Sequence, residues 1–386
     1  MAQAQAQRCA MVAGETSGDL LASLLLAAMQ DRWPGLQATG IGGAAMRARG
    51  FDAWWSSEQL AVRGYLEVLP HLRKLLAIRR ELGDRLLRER PDIFIGIDAP
   101  DFNFGLEERL KQAGIPTVHF VSPSFWAWRA KKVEKLKRSA DHVLCIFPFE
   151  PALLARHGID ASYVGHPLAN VIPLEPDRAG ARRSLGLASD VTVVAILPGS
   201  RGSEVQQMAG RFFAAAELLA RQHGDLQFVV LAVPALEAEI RRLAQATGLG
   251  ARLTIVAGQS HTVLAACDLA LVASGTATLE TALFKRPMVI AYHMNRFSWW
   301  LMRGRNLQPW IGLPNILCRD FVVPELLQDA ASPEALAAAL GHWLDLRRTE
   351  PETIADLEQR FTALHHELRR DTASLASDAI QKILAR

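Results

Sequence analysis

The chain has little of what marks several common protein classes. Only four cysteines occur in 386 residues, Cys9, Cys145, Cys267 and Cys318, and no two form a C-x-x-C pair. A disulfide framework is therefore not expected. Ala and Gln repeats precede the first apolar run, without a charged n-region or a long apolar segment, so no secretory leader is read and reduced thiols in a cytoplasmic protein are the expectation. No window approaches the roughly 20 apolar residues that a membrane-spanning helix needs. An Asp-x-Asp tripeptide is absent, so a metal held by that motif is not indicated, and no cofactor is expected. Excess charge is missing too: 43 Lys and Arg against 40 Asp and Glu leave +3. That total does not compel an anionic partner, and the basic residues matter only where they cluster.

What is present is alternation. Half of the residues are hydrophobic, and 386 residues exceed one compact core, so two domains are the natural expectation. Apolar runs at Cys9–Ala13, Ile93–Ile97, Thr117–Val121, His142–Phe147 and Ser162–Val164 are separated by helical stretches. After a stretch punctuated by Pro167, Pro173 and Pro176 the pattern restarts at Val191–Leu197, Gln227–Ala232, Arg252–Val256, Leu269–Ala273 and Pro287–Ala291. This is the signature of parallel sheets covered by helices on both faces. The expected division is a Rossmann-like domain over 1–167, a linker over 168–177, a second Rossmann-like domain over 178–345, and a helical tail over 346–386. That tail would cap, cross back or exchange between subunits of a homodimer. Two such halves would face each other across a cleft, with ligands at the carboxyl ends of the strands.

Two loops carry the chemistry of the second half. The run Val193–Leu197 ends in Pro198-Gly199-Ser200-Arg201-Gly202-Ser203-Glu204 and then reads helical. A strand, a glycine loop and a helix N-terminus aim backbone N–H groups at one spot, and Arg201 adds a planar fork suited to phosphate. A plain turn with a solvated arginine fits equally. Leu269–Ala273 leads likewise into Ser274-Gly275-Thr276-Ala277-Thr278-Leu279-Glu280. Ser274 or Thr276 is placed to cap that helix, and Glu280, a turn further in, suits a ribose diol better than a phosphate. Together the loops favour a nucleoside diphosphate over two ordinary capped helices.

In the first half, Asp98 follows the run Ile93–Ile97 and precedes Ala99-Pro100. It should stand at a strand end, out of regular structure, as a candidate general base, whereas Asp101 suits helix capping better. The loop Gly14-Glu15-Thr16-Ser17-Gly18-Asp19 follows the first strand but is not G-x-G-x-x-G, and its two acids would repel a pyrophosphate, so a sugar-facing loop is expected there. His119 and His166 also follow strands, and structural roles are the plainer expectation for both.

Six motifs occur in order: Val12-Ala13-Gly14-Glu15-Thr16-Ser17-Gly18-Asp19, Gly96-Ile97-Asp98-Ala99-Pro100-Asp101-Phe102-Asn103, Val121-Ser122-Pro123-Ser124-Phe125-Trp126-Ala127-Trp128-Arg129, Leu197–Glu204, Ser274–Glu280 and Leu313-Pro314-Asn315. Carrying them, the chain resembles the lipid A disaccharide synthases, inverting glycosyltransferases of the GT-B fold. Phe125, where a smaller β-branched residue is expected, and Gln308-Pro309-Trp310 depart from the pattern. The resemblance implies transfer from UDP-2,3-diacylglucosamine to 2,3-diacylglucosamine 1-phosphate, giving a β-1,6-linked disaccharide 1-phosphate and UDP. It implies Asp98 and Arg201 as catalytic residues. Donor contacts would come from Gly199, Ser200, Arg201, Gly202, Ser274, Gly275, Thr276, Glu280 and Asn315. The acceptor side would hold Glu15, Thr16, Ser17, Gly18 and Ser122. A UDP-sugar epimerase of the same fold, or a non-catalytic lipid- or nucleotide-binding regulator, would share the loops.

Acylated substrates place the work at a membrane surface. Leu66, Val68, Leu69, Leu72, Leu75 and Leu76, with Arg73 and Lys74 beside them, have the composition of a helix lying in the headgroup plane. A peripheral location on the inner face of the inner membrane is the expectation. The alternative is an amphipathic helix packed on its own sheet. The stretches 129–138 and 296–303 are further basic and aromatic clusters. Neither is joined to a nucleic-acid fold motif, so no nucleic acid partner is expected.

Overall fold

A computed structural model describes residues 7–14, 16–60, 68–123, 131–294 and 309–385. The chain divides into two compact units, Met1–Asn170 with Glu367–Arg386, and Val171–His366. Among the described residues, no helix is long and apolar enough to cross a membrane.

The first unit holds β1 (Arg8–Ala13), β2 (Gln37–Gly42), β3 (Asp52–Ser56), β4 (Ile93–Ile97), β5 (Thr117–Phe120), β6 (His142–Cys145) and β7 (Ala161–Tyr163). They form one sheet in the order β3-β2-β1-β4-β5-β6-β7, and every pairing is parallel. The second unit holds β8 (Thr192–Leu197), β9 (Leu226–Ala232), β10 (Leu253–Ala257), β11 (Leu269–Ala273), β12 (Met288–Tyr292) and β13 (Glu325–Leu327). Their order is β10-β9-β8-β11-β12-β13, again all parallel. In each sheet the chain order reverses at one place, between β1 and β4 and between β8 and β11. Such switch points splay the loops apart and open a crevice at the carboxyl ends of the strands.

Burial explains the apolar runs. Val193 to Ile196 and Leu269 to Leu271 are essentially buried because helices cover both sheet faces. The helix Gly202–Gln222 turns Val205, Met208, Ala209, Phe212, Phe213, Ala216 and Leu219 inward, the spacing of one amphipathic face. Each large side chain so buried contributes about 1.5–3 kcal/mol. Cys9, Cys145 and Cys267 are buried too, and burial pushes their thiols up, Cys267 to about 12, so none supplies a thiolate nucleophile near neutrality.

Three strands were not legible as apolar runs: β2, which is Gly-rich, β3, which is half-buried, and β13, which is three residues long. The expected linker 168–177 is partly helical, since Pro167 opens a helix over Pro167–Val171, and Asp177 caps the next helix through the Gly180 N–H at 2.8 Å. The 346–386 segment is divided between the two units. Helices Pro333–Thr349 and most of Pro351–Leu368 belong to the second unit, while Thr372–Leu384 belongs to the first. There Ala376, Ala379, Ile380 and Ile383 join the core of Met11, Leu25 and Ile95, and Arg32 pairs with Asp378.

Candidate active site

In the second unit the two glycine loops emerge from neighbouring strands, with Leu197 opposite Val272 in register. They line one cavity of about 310 Å³, which holds Gly199, Ser200, Arg201, Ser274, Gly275, Thr276 and Glu280. Gly199 has φ +126°, and a Cβ there would stand 2.5 Å from Glu204 Cβ, so the turn excludes any side chain on both conformation and space. Gly202 is the first residue of the helix that follows and does not line the cavity.

Sequence reasoning missed Glu204. Its Oε2 accepts from the Ser200 N–H at 2.9 Å and the Arg201 N–H at 3.3 Å, and its Oε1 lies 3.2 Å from Arg201 Nη1. A carboxylate three residues into a helix reaches back to the orphan N–H groups and meets the positive end of the helix dipole. The amides expected to face an anion are thus held by an internal one, and Arg201, 78% exposed, leans on the same group. The Ser/Thr-x-x-Glu reading of helix starts is the signal that finds such a residue, but Arg201 at the cap position hides it.

The second loop differs from expectation in its cap. Neither Ser274 nor Thr276 caps the helix Thr276–Leu283; the cap is Gly275 at φ +151°, with no side-chain hydrogen bond. Glu280 is largely buried, and burial raises its pKa above the ordinary carboxylate range while the Ser260 hydroxyl opposes the shift. His261 Nε2 lies 3.9 Å away, and burial lowers its pKa. The structure does not bring Asn315 to this cavity. It is fully buried, donating to Val323 O at 2.9 Å and Glu325 Oε1 at 2.8 Å and accepting from Val323 N–H at 3.0 Å. Its amide fixes the bend that starts β13.

In the first unit the loops after β1 and β4 touch: a Cβ on Gly14 would lie 2.9 Å from Ala99 Cβ. Asp98 and Ala99 are both left-handed, at φ +51° and +42°. Pro100 disfavours the right-handed helical region for Ala99. Two successive non-glycine residues there cost about 1–3 kcal/mol each, a strain found mostly at functional sites. Val121, after the neighbouring β5, has φ +77°, a rarer outlier still for a β-branched residue. Ser122 beside it is buried, and its Oγ makes no hydrogen bond among the described residues.

Asp98 lines a cavity of about 360 Å³ with Gly14, Leu60, Arg79 and Phe102, and with Leu72, Leu75 and Leu76 of the helix Val68–Glu89. No hydrogen bond engages its carboxylate among the described residues. Leu72 and Leu76 are 46% and 44% exposed, and Arg73 and Lys74 are exposed between them. Gly18 packs over Ile97, and Ser17 is exposed at the start of its helix. Glu15 and Leu66 lie outside the described residues, as do the side chains of Thr16, Val68 and Leu69, residues 129 and 130, and the 296–303 cluster.

Asp19 is not part of the site. It is buried and accepts from the N–H groups of Gly43, Ala45 and Met46 at 2.6, 2.8 and 3.3 Å, anchoring a short helix. Asp101 sits in the first turn of its helix, where Ala99 is the cap. His166 is structural: burial pushes its pKa down to about 4, and its Nδ1 accepts from the Leu168 N–H.

Two parallel-sheet units, each with loops gathered at its switch point, have the architecture of the GT-B fold. The same fold appears in Acinetobacter baumannii MurG, at TM-score 0.58 and 16% identity over 97% of this chain and 99% of that one. It appears again in a UDP-GlcNAc 2-epimerase from Neisseria meningitidis bound to UDP-GlcNAc, at TM-score 0.59 and 11% identity over 98% and 100%. At those identities the likeness is one of fold alone. The lipid-A-disaccharide synthase of Verminephrobacter eiseniae is 64% identical over 379 residues, covering 98% of this chain and 97% of that one. The model of the lipid-A-disaccharide synthetase family matches residues 9–380, and the chain belongs to that family.

Proposed function

We propose that the chain joins UDP-2,3-diacylglucosamine to 2,3-diacylglucosamine 1-phosphate in one inverting displacement, releasing UDP and the β-1,6-linked disaccharide 1-phosphate. The observation that carries the site assignment is Asp98, whose left-handed backbone presents a carboxylate without a hydrogen bond among the described residues to a cavity walled by exposed leucines. The acceptor's 6-hydroxyl attacks the anomeric carbon as the bond to the diphosphate breaks. Asp98 takes the hydroxyl proton, which spares the transition state an oxonium charge. The leaving diphosphate gathers negative charge, which Arg201 and the N-terminus of the helix Thr276–Leu283 neutralise. An epimerase is supported by fold likeness only, and the leucine-lined cavity has no use in one.

Glu280 is assigned to the ribose. Both hydroxyls of a diol donate to an ionised carboxylate, whereas the protonated acid turns one of its oxygens into a donor and loses the charge that strengthens the bonds, and burial makes ionisation harder. UDP affinity should therefore weaken as pH falls through a value above 4.5, the ordinary value for this group. Glu280→Gln should flatten that dependence in a calorimetric titration, and an unchanged pH dependence would remove the assignment.

Leu72, Leu75 and Leu76 are assigned to acyl chains and to the inner-membrane surface, with Arg73 and Lys74 on anionic headgroups. Changing Leu72 and Leu76 together to Ser should release the protein from anionic vesicles in co-sedimentation and leave its melting temperature unmoved, since both side chains are exposed. Undiminished sedimentation would defeat the membrane role. Mass analysis of the product from the two acylated substrates tests the reaction: an acylated disaccharide phosphate is expected, and an epimerised monosaccharide contradicts it.

A further inference from the structure

A buried polar cluster lies directly beneath Asp98. Gly96, in β4, stands opposite His119 of β5 in register. A Cβ on Gly96 would overlap Glu107 Oε1 outright and stand 3.1 Å from Asn103 Cβ and Cγ. The missing side chain is thus the space through which two residues of the helix Pro100–Gln112, one turn apart, reach the sheet. Glu107 Oε1 meets His119 Nδ1 at 2.7 Å, and the Phe104 ring covers the imidazole at 4.9 Å. Asn103 Nδ2 donates to the Asp98 carbonyl at 2.8 Å and lies 3.4 Å from the Ile97 carbonyl. All three polar side chains are 0% exposed.

Packing alone does not account for this choice of residues. Asn103 Oδ1, Glu107 Oε2 and His119 Nε2 are buried with no hydrogen bond among the described residues, and buried polar atoms left unmatched are costly. Apolar residues of the same volume would fill the space without that cost. What they would not supply is a donor to the carbonyl of a left-handed residue at a strand end. The Asn103 amide meets that carbonyl where the chain has left the sheet, and so fixes the backbone from which the Asp98 carboxylate projects.

We propose that Asn103, Glu107 and His119 are positioning residues for Asp98, with Asn103 holding its backbone and the Glu107–His119 pair, seated over Gly96, holding Asn103's helix to the sheet. This rests on Asp98 being the base. The test is steady-state kinetics on the full chain with both acylated substrates, alongside UDP titration and thermal melts. Asn103→Leu should lower kcat by about tenfold to a hundredfold, the effect of a small misplacement of a reacting group. Substrate KM and UDP affinity should not move. Leu110→Ala, which opens a cavity in the same helix's buried face, should lower the melting temperature and leave kcat alone. Should Asn103→Leu fail to fold, Asn103→Asp, the same shape without the donor, reads the same quantity. His119→Asn, which retains a donor near the Nδ1 position, should keep more of kcat than His119→Leu. Full kcat in the Asn103 variants, a loss shared equally by KM, or equal losses in the two His119 variants would overturn the proposal. Asp98→Asn separates it from the reading beneath: an inactive Asp98→Asn with a fully active Asn103→Leu sinks the positioning role alone, whereas a fully active Asp98→Asn sinks the base.

Discussion

Asp98→Asn is expected to slow turnover by about 10²–10⁴-fold, the usual worth of a general base, and to leave UDP affinity where it was. The asparagine keeps the shape and the left-handed preference of the position, so the loop after β4 should hold its path and the Asn103 contact. What goes is the group proposed to accept the proton. Because the base acts in the transition state, kcat should fall and KM should not rise with it. Because the UDP loops are built by the other unit, calorimetry with UDP should report the same affinity. Unchanged turnover would remove Asp98 as the base. A parallel loss of UDP affinity would mean that the substitution damaged the protein as a whole.

Arg201→Ala is the second large effect, and Glu204 makes it informative. In this structure the carboxylate of Glu204 holds the Ser200 and Arg201 amides and pairs with the Arg201 guanidinium. A diphosphate arriving at that loop meets a resident negative charge and the cation paired with it. Removing the proposed leaving-group donor should cost about 10²–10³ in kcat and leave Glu204 facing the diphosphate uncompensated. UDP binding should weaken as well, unlike in the Asp98 variant. Replacing Glu204 by Gln in the same chain removes the repulsion but keeps an oxygen for the two amides. Arg201→Ala with Glu204→Gln should therefore bind UDP more tightly than Arg201→Ala alone. Equal affinity in the two would show that Glu204 exerts no repulsion on the ligand, and undiminished kcat in Arg201→Ala would remove its leaving-group role.

The fold was legible wherever strands are buried on both faces, because continuous apolar runs are what such burial demands. It was less legible at β2, β3 and β13, where glycines, partial exposure or brevity break the run. The site divides on similar lines. The position of Asp98 outside regular structure was legible because a strand end followed by Ala-Pro must leave it, and the turn at Gly199 because it tolerates nothing else. Glu204 could not, since its role depends on where its carboxylate folds back. Asn315 was expected at the donor because the resemblance implied it, and what the structure shows is its amide bonded to Val323 and Glu325. His119 looked structural and is buried. Only the register that sets it opposite Gly96, with Glu107 between, ties it to the strand that carries Asp98. Tertiary hydrogen bonding of this kind leaves no periodic trace in a sequence.

The proposed reaction is a single displacement at the anomeric carbon with UDP as the departing group. Nuclear magnetic resonance of the product, with UDP counted in the same reaction, tests it most directly. One β-linked acylated disaccharide 1-phosphate is expected per UDP released. An α linkage, or a monosaccharide altered without stoichiometric release of UDP, would contradict it.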